Sequence, residues 1–293
     1  MARLLSPRKR VSPTDMEYSN PKIPEGINTS KEHPLKEFSL LLGGICLLIT
    51  LLFFLLASAA DFIAPHIPFS AEQLIADQYT QSQADEAEPS AEAKRINHYL
   101  QQLADRLAIT LALPKEMPIT IHYSEKETVN AFATLGGHII IFRGLLDKIS
   151  DENVLAMVMA HEIAHIKHRD PIRGAGRAVI FSLAISMVSM AVGNQVIDQF
   201  IGGSGMLTAL HYGREQEREA DKAALAALYS EYGHIGGATE LFEILSAQSS
   251  ITPPEFLSSH PVSEQRIERI GEMAISKGWP VDGQRLPLPF KAK

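Results

Sequence analysis

The residues of this chain best suited to chemistry are two histidines four positions apart with a glutamate beside the first, in His161-Glu162-Ile163-Ala164-His165. On a helix, residues four apart project from one face, so two imidazoles can converge on a single ion while Glu162 reaches a water next to it. Such an ion lowers the pKa of that water, and Glu162 can take its proton as it attacks a carbonyl. A catalytic ion of this type needs a third protein ligand and an open fourth position. A third histidine is not supplied nearby, because the positions completing H-E-x-x-H-x-x-G-x-x-H are filled by His168 and Pro171. Cys46, the single cysteine, lies in the most hydrophobic segment, which excludes a cysteine cluster or an internal disulfide.

The third ligand is therefore sought among carboxylates, and the acidic helical cluster downstream is Arg214–Asp221. Helical phase chooses within it: Glu217, Asp221, Ala224, Leu225 and Leu228 form one stripe facing the core, where an acid needs a partner. Glu215 and Glu219 fall with Lys222 on another face and read as a solvated, salt-bridged surface. Glu217 is thus the expected third ligand. Asp221, one turn on, is placed to accept a hydrogen bond from the outer nitrogen of a ligand histidine, His161. His98, His122, His138, His168, His211 and His234 have no partner at ligand spacing and read as structural or exposed.

The elements that must position these groups are mostly helical. Ser150-Asp151-Glu152 caps a helix on which Val154, Val158, His161 and His165 share a face, and Pro171 stops it near His168–Asp170. Apolar spacing predicts helices over 91–111, from about 207 to 229, and over 263–276. Pro118–Tyr123 and His138–Phe142 read as short strands, with Gly136-Gly137 as the turn before the second. The expected fold is α+β, mostly helical, with a small sheet beside the histidine helix.

Phe38–Ala60 carries no charge and is long enough to span a membrane. Basic residues crowd its N-terminal side, whereas 61–93 holds seven acids and no Lys or Arg, which puts the C-terminal bulk outside the cytoplasm. Cleavage as a signal peptide, at Ala57-Ser58-Ala59, is the competing reading. A second apolar stretch, Ala178–Gly193, is too short for two crossings and reads as a buried helix or a membrane-facing hairpin. The expected organisation is a basic cytoplasmic tail over 1–37, an anchor over 38–60, a linker over 61–90, a folded domain carrying the histidine pair over 91–278 and a tail over 279–293. A net charge of −7 with no dense basic stripe excludes nucleic acid as a partner.

His161–His165 followed some fifty residues later by Glu217-Arg218-Glu219-Ala220-Asp221 resembles the HtpX-like and CAAX-prenyl-protease-like family of membrane-associated zinc metallopeptidases, over roughly 91–278. The resemblance implies a gluzincin-type domain with one Zn2+ per chain, His161, His165 and Glu217 as ligands, Glu162 as general base and Asp221 behind the ligands. It implies that Asn130-Ala131-Phe132-Ala133, ahead of Gly136-Gly137-His138-Ile139, is an edge where substrate backbone pairs. It also implies that His260-Pro261 and Arg266 approach the developing oxyanion. Family members of that kind surround the site with several spans, whereas one is found here. The layout is closer to single-anchor, periplasmic or mitochondrial inner-membrane members, acting on protein substrates of the envelope or membrane from the inner membrane. The motif also serves hydrolysis of non-peptide amides, and an assembly factor or chaperone with a latched or structural zinc site is a further alternative.

Overall fold

The computed structural model describes residues 20–22, 34–82, 89–192, 212–247, 256, 260 and 264–290. Two units are distinguished, Met1–Ile49 and Thr50–Lys293. Helix α1, Pro34–Ile63, is the one helix among the described residues long and apolar enough to cross a membrane, and its leucines are exposed along its length. After a 3-10 turn, Ala64–His66, helix α2 covers Phe69–Ser82. This segment was expected to be a linker. It folds because Phe69, Glu72 and Ala76 share one face and are buried, and the acid within that stripe hides its period in the sequence.

Helix α3, Ala91–Thr110, is capped by Ser90 and buries Ile96, Leu100, Leu103 and Leu107. Strands β1 (Thr120–Ser124), β2 (Ala131–Ala133) and β3 (His138–Phe142) form one sheet in the order β1-β3-β2, with β1 parallel and β2 antiparallel to β3. β2 is therefore an edge. Helix α4, Arg143–Lys148, leads into α5, Glu152–Lys167, whose N-terminus is capped by the Asp151 carboxylate. α5 is buried on every side, not amphipathic, and packs chiefly along the helix over Arg214–Tyr232. Arg169, at φ 62°, turns the chain into α6, Asp170–Val192, with Pro171 in its first turn, where proline costs no hydrogen bond. Side chains 183–192 of α6 lie outside the description, as does His211. Helices α7 (Arg214–Tyr232), α8 (Glu240–Ala247) and α9 (Glu264–Lys277) complete the domain. α7 begins at Arg214, and residues 207–211, where periodicity placed the start of a helix, lie outside the described residues.

The C-terminal stretch read as a tail is built into the fold. Glu152 N–H donates to Leu286 C=O at 2.8 Å, Leu286 N–H donates to Asn153 Oδ1 at 3.0 Å, and Leu288 is buried. Arg285 ties Asp151 to Glu240.

His122 and His138, on neighbouring strands, bring their rings within a 2.8 Å hydrogen bond, Nε2 to Nδ1. Burial pulls both imidazoles below their usual 6.5, and for His122 the neighbouring ring adds to it. The folded state thus binds fewer protons than the unfolded one just below pH 6.5. Their contribution to stability is complete above that pH and is lost as pH falls through the depressed folded-state values. Urea midpoints at pH 7.5 and 5.5 should show a loss that shrinks in His122→Phe.

Candidate metal centre

Helix geometry puts His161 and His165 one turn apart on α5, and the packing of α5 along α7 brings Glu217 opposite them. His161 Nε2 lies 3.1 Å from His165 Nε2, and Glu217 oxygens lie 3.5 Å from each. Ligand atoms bound about 2.0–2.2 Å from one tetrahedral centre sit about 3.3–3.6 Å from each other, so this spacing fits a shared ion. The outer nitrogens agree with that. His165 Nδ1 is 2.9 Å from Asp170 Oδ2, and His161 Nδ1 is 3.1 Å from Asp221 Oδ1. For His165, a protonated Nδ1 donating to Asp170 leaves Nε2 with its lone pair free for a metal, and the Asp221 carboxylate stands beside the outer nitrogen of His161.

Electrostatics favour a cation at the same place. Burial disfavours charge on His161, yet Asp221 and Glu217 outweigh it and push this imidazole up to about 10. Burial likewise opposes, and Asp170 and Glu217 override, a raised value for His165. Glu217 is held far below the carboxylate range despite its burial, chiefly by His260 and His161.

Glu162 is fully buried; its Oε2 accepts from Ala133 N–H at 2.9 Å, while Oε1 has no hydrogen-bond partner among the described residues. The base candidate is thereby fastened through Oε2 to the end of edge strand β2. Asn130 is buried just before the strand and Phe132 is half-buried within it. Val129 C=O accepts from Phe256 N–H at 3.3 Å, and Phe256 C=O from His260 N–H at 2.9 Å, so the same strand anchors His260. His260 Nδ1 stands 2.9 Å from Glu217 Oε1 and 3.2 Å from His161 Nε2, and Nε2 stands 3.3 Å from Glu162 Oε1. Four side chains, His161, His165, Glu217 and His260, could thus hold one ion. Pro261 lies outside the described residues.

Arg266, expected near the developing oxyanion, contacts two buried carboxylates. Its Nε and Nη2 clamp Asp221 at 2.9 and 2.7 Å, its Nη1 meets Glu217 at 2.7 Å, and it stacks over Phe242. A guanidinium so engaged by two buried carboxylates holds the ligand shell from behind.

Two residues of the site escaped sequence reasoning. Asp170 registered only as the end of a helix before Pro171; it is fully buried and also accepts from Gln216 Nε2 at 2.6 Å. Its nearness to His165 depends on the left-handed turn at Arg169, which carries no sequence signal in a non-glycine residue. Tyr212 stacks on His165, centroids 3.9 Å apart, and burial, then the carboxylates of Glu162, Asp170 and Glu217, drive its phenol well above its usual range. Asp170→Asn should weaken metal affinity by about 10- to 100-fold, the usual effect of losing a histidine's outer partner, as read by chelator competition.

Residues 94–274 match the family model described as Peptidase family M48. The chain belongs to that family. Among its curated relatives, the beta-barrel assembly-enhancing protease of Escherichia coli is 28% identical over 59% of this chain and 37% of its own length. The mitochondrial metalloendopeptidase OMA1 of Schizosaccharomyces pombe is 29% identical over 59% of this chain and 52% of its own length. The chain therefore spans about two fifths to one half of the relatives it matches. The match reaches the M48 family, and these named relatives do not represent the HtpX-like and prenyl-protease-like branch.

Proposed function

We propose that this chain is a single-anchor M48 endopeptidase that hydrolyses peptide bonds of envelope or membrane proteins, with one zinc ion held by His161, His165 and Glu217. The observation that carries the reading is the convergence of these ligand atoms at 3.1–3.5 Å with both Nδ1 atoms turned to carboxylates. When bound, zinc acts as a Lewis acid toward the scissile carbonyl and the attacking water. Glu162 Oε1 takes the proton from that water and returns it to the leaving amine. Asn130–Ala133 receives substrate as an added strand along the outer edge of β2, up to the Ala133 N–H that Glu162 holds, which sets the scissile bond beside Glu162. Asp221, Asp170 and Arg266 position the ligands.

Residues 38–60 anchor the chain in the inner membrane, with 1–37 in the cytoplasm and the peptidase unit outside it, in keeping with the basic N-terminal flank. α2 and the stretch to 290 belong to that unit. The names of the relatives, an assembly-enhancing protease and a mitochondrial metalloendopeptidase, support a role in membrane-protein quality control. The test is metal content together with casein cleavage by the full chain in detergent; zinc-loaded protein that cleaves no unfolded substrate under any condition would overturn the peptidase reading.

His260 favours a second reading, a latched site. A fourth protein ligand closes a zinc site, whereas catalysis needs that position open. If His260 serves the oxyanion, His260→Ala lowers cleavage; if it occupies the open position, His260→Ala raises cleavage while metal affinity drops. Initial rates and zinc affinity of the one variant separate the two.

A further inference from the structure

The helix that follows the membrane segment is wired into both walls of the site through one buried carboxylate. Glu72 of α2 is 2% exposed. Its Oε1 accepts from Arg169 Nε at 2.8 Å and pairs with Arg169 Nη2 at 2.5 Å, and that Nη2 also donates to Ile67 C=O at 2.7 Å. Its Oε2 accepts from Gly136 N–H at 3.3 Å. Arg169 precedes Asp170, which holds His165; Gly136 follows Ala133 by three residues, and Ala133 N–H holds Glu162.

The glycine pair shows that this docking constrains the sequence. Gly136 and Gly137 adopt φ 72° and 83°, open to glycine and costly for other residues. A Cβ on Gly136 would stand 3.0 Å from Ala76 Cβ, and one on Gly137 would overlap Pro118 C=O and stand 3.2 Å from Phe69 Cζ. The turn is flush against α2. On the other side, Arg169 holds a left-handed conformation that a side chain adopts only when its surroundings require it, and the fork to Glu72 and Ile67 is that requirement.

We propose that Glu72 is a positioning residue: from the anchor-proximal helix it sets the Arg169–Asp170 turn behind His165 and the Gly136 turn behind edge strand β2. The inference rests on the roles given above to His165 and Glu162. Buried ion pairs add little net stability, so a carboxylate kept there at a desolvation cost is better explained by the geometry it enforces.

The two oxygens predict separable effects, to be read on the full chain in detergent well below its melting temperature. Glu72→Gln keeps the shape, loses the charge holding Arg169 and presents one acceptor where two are used. It should weaken zinc affinity about 3- to 10-fold, less than removal of Asp170 itself, and raise KM for a fluorogenic peptide. Arg169→Met, which touches the first wall only, should lower zinc affinity with KM unchanged. Leu74→Ala, on the exposed face of the same helix, is the control and should change neither.

A purely structural role predicts a lower melting temperature with zinc affinity and KM at parental values, and that result would overturn the proposal. If Glu72→Gln does not fold, Glu72→Gln/Arg169→Met removes both buried charges together and takes its place under the same criteria. If the parent cleaves nothing, the peptidase reading fails, while zinc affinity still decides for or against Glu72.

Discussion

Glu162→Gln should keep its metal and lose cleavage by about 10²- to 10⁴-fold, the range that a positioned general base contributes. The substitution preserves what the fold needs. Ala133 N–H still finds an acceptor at the position of Oε2, and the new amide faces His260 Nε2, 3.3 Å from Oε1, which can accept from it. What disappears is the proton acceptor at Oε1, the oxygen without a hydrogen-bond partner among the described residues. Glu162 contributes nothing to the ligand set, so zinc content should match the parent. The comparison needs casein cleavage rates and metal analysis of the same preparations. Cleavage within about threefold of the parent would remove Glu162 from the base role.

Glu217→Ala attacks the other half of the site and should be costly in both metal affinity and stability. Glu217 is the carboxylate that both histidines, His260 and Arg266 share. Removing one member of a buried charged cluster typically costs about 3–5 kcal/mol because its partners stay buried without it. Here Arg266 retains Asp221, so the lower part of that range is expected in the metal-free protein. Zinc affinity should fall as well, because two imidazoles alone leave the centre short of a ligand. Urea unfolding with chelator present separates the two effects. Glu215→Ala and Glu219→Ala, on the outer face of α7, should leave the urea midpoint at the parental value and keep full metal affinity. Loss of zinc in Glu219→Ala rather than in Glu217→Ala would show that the phase of α7 had been misread.

Much of this architecture can be read along the chain where the interactions are local. The α5 cap, the four-residue spacing of His161 and His165, strand β3 and the single apolar span follow from helix period, strand period and length. The choice of Glu217 and Asp221 over Glu215 and Glu219 is of the same kind, since an acid on an apolar stripe has to face something. The linker over 61–90 and the tail over 279–293 misled because their partners are distant. Glu72 meets Arg169, 97 residues away, and Leu286 meets Asn153, 133 residues away. Neither partner leaves a periodic trace.

The sequence by itself thus determined that two imidazoles and a carboxylate share one helix, that a second acidic helix has an inward face, and that an apolar helix precedes them. Tertiary structure alone decided the rest. It set Asp170 behind His165 through a left-handed turn, stacked Tyr212 on that ring, and turned Arg266 onto Asp221 and Glu217. It also brought His260 within 2.9 Å of Glu217 and 3.2 Å of His161. Helix period is a property of each segment, whereas the way α5, α7 and His260 come together depends on how α2, the sheet and the C-terminal stretch pack around them.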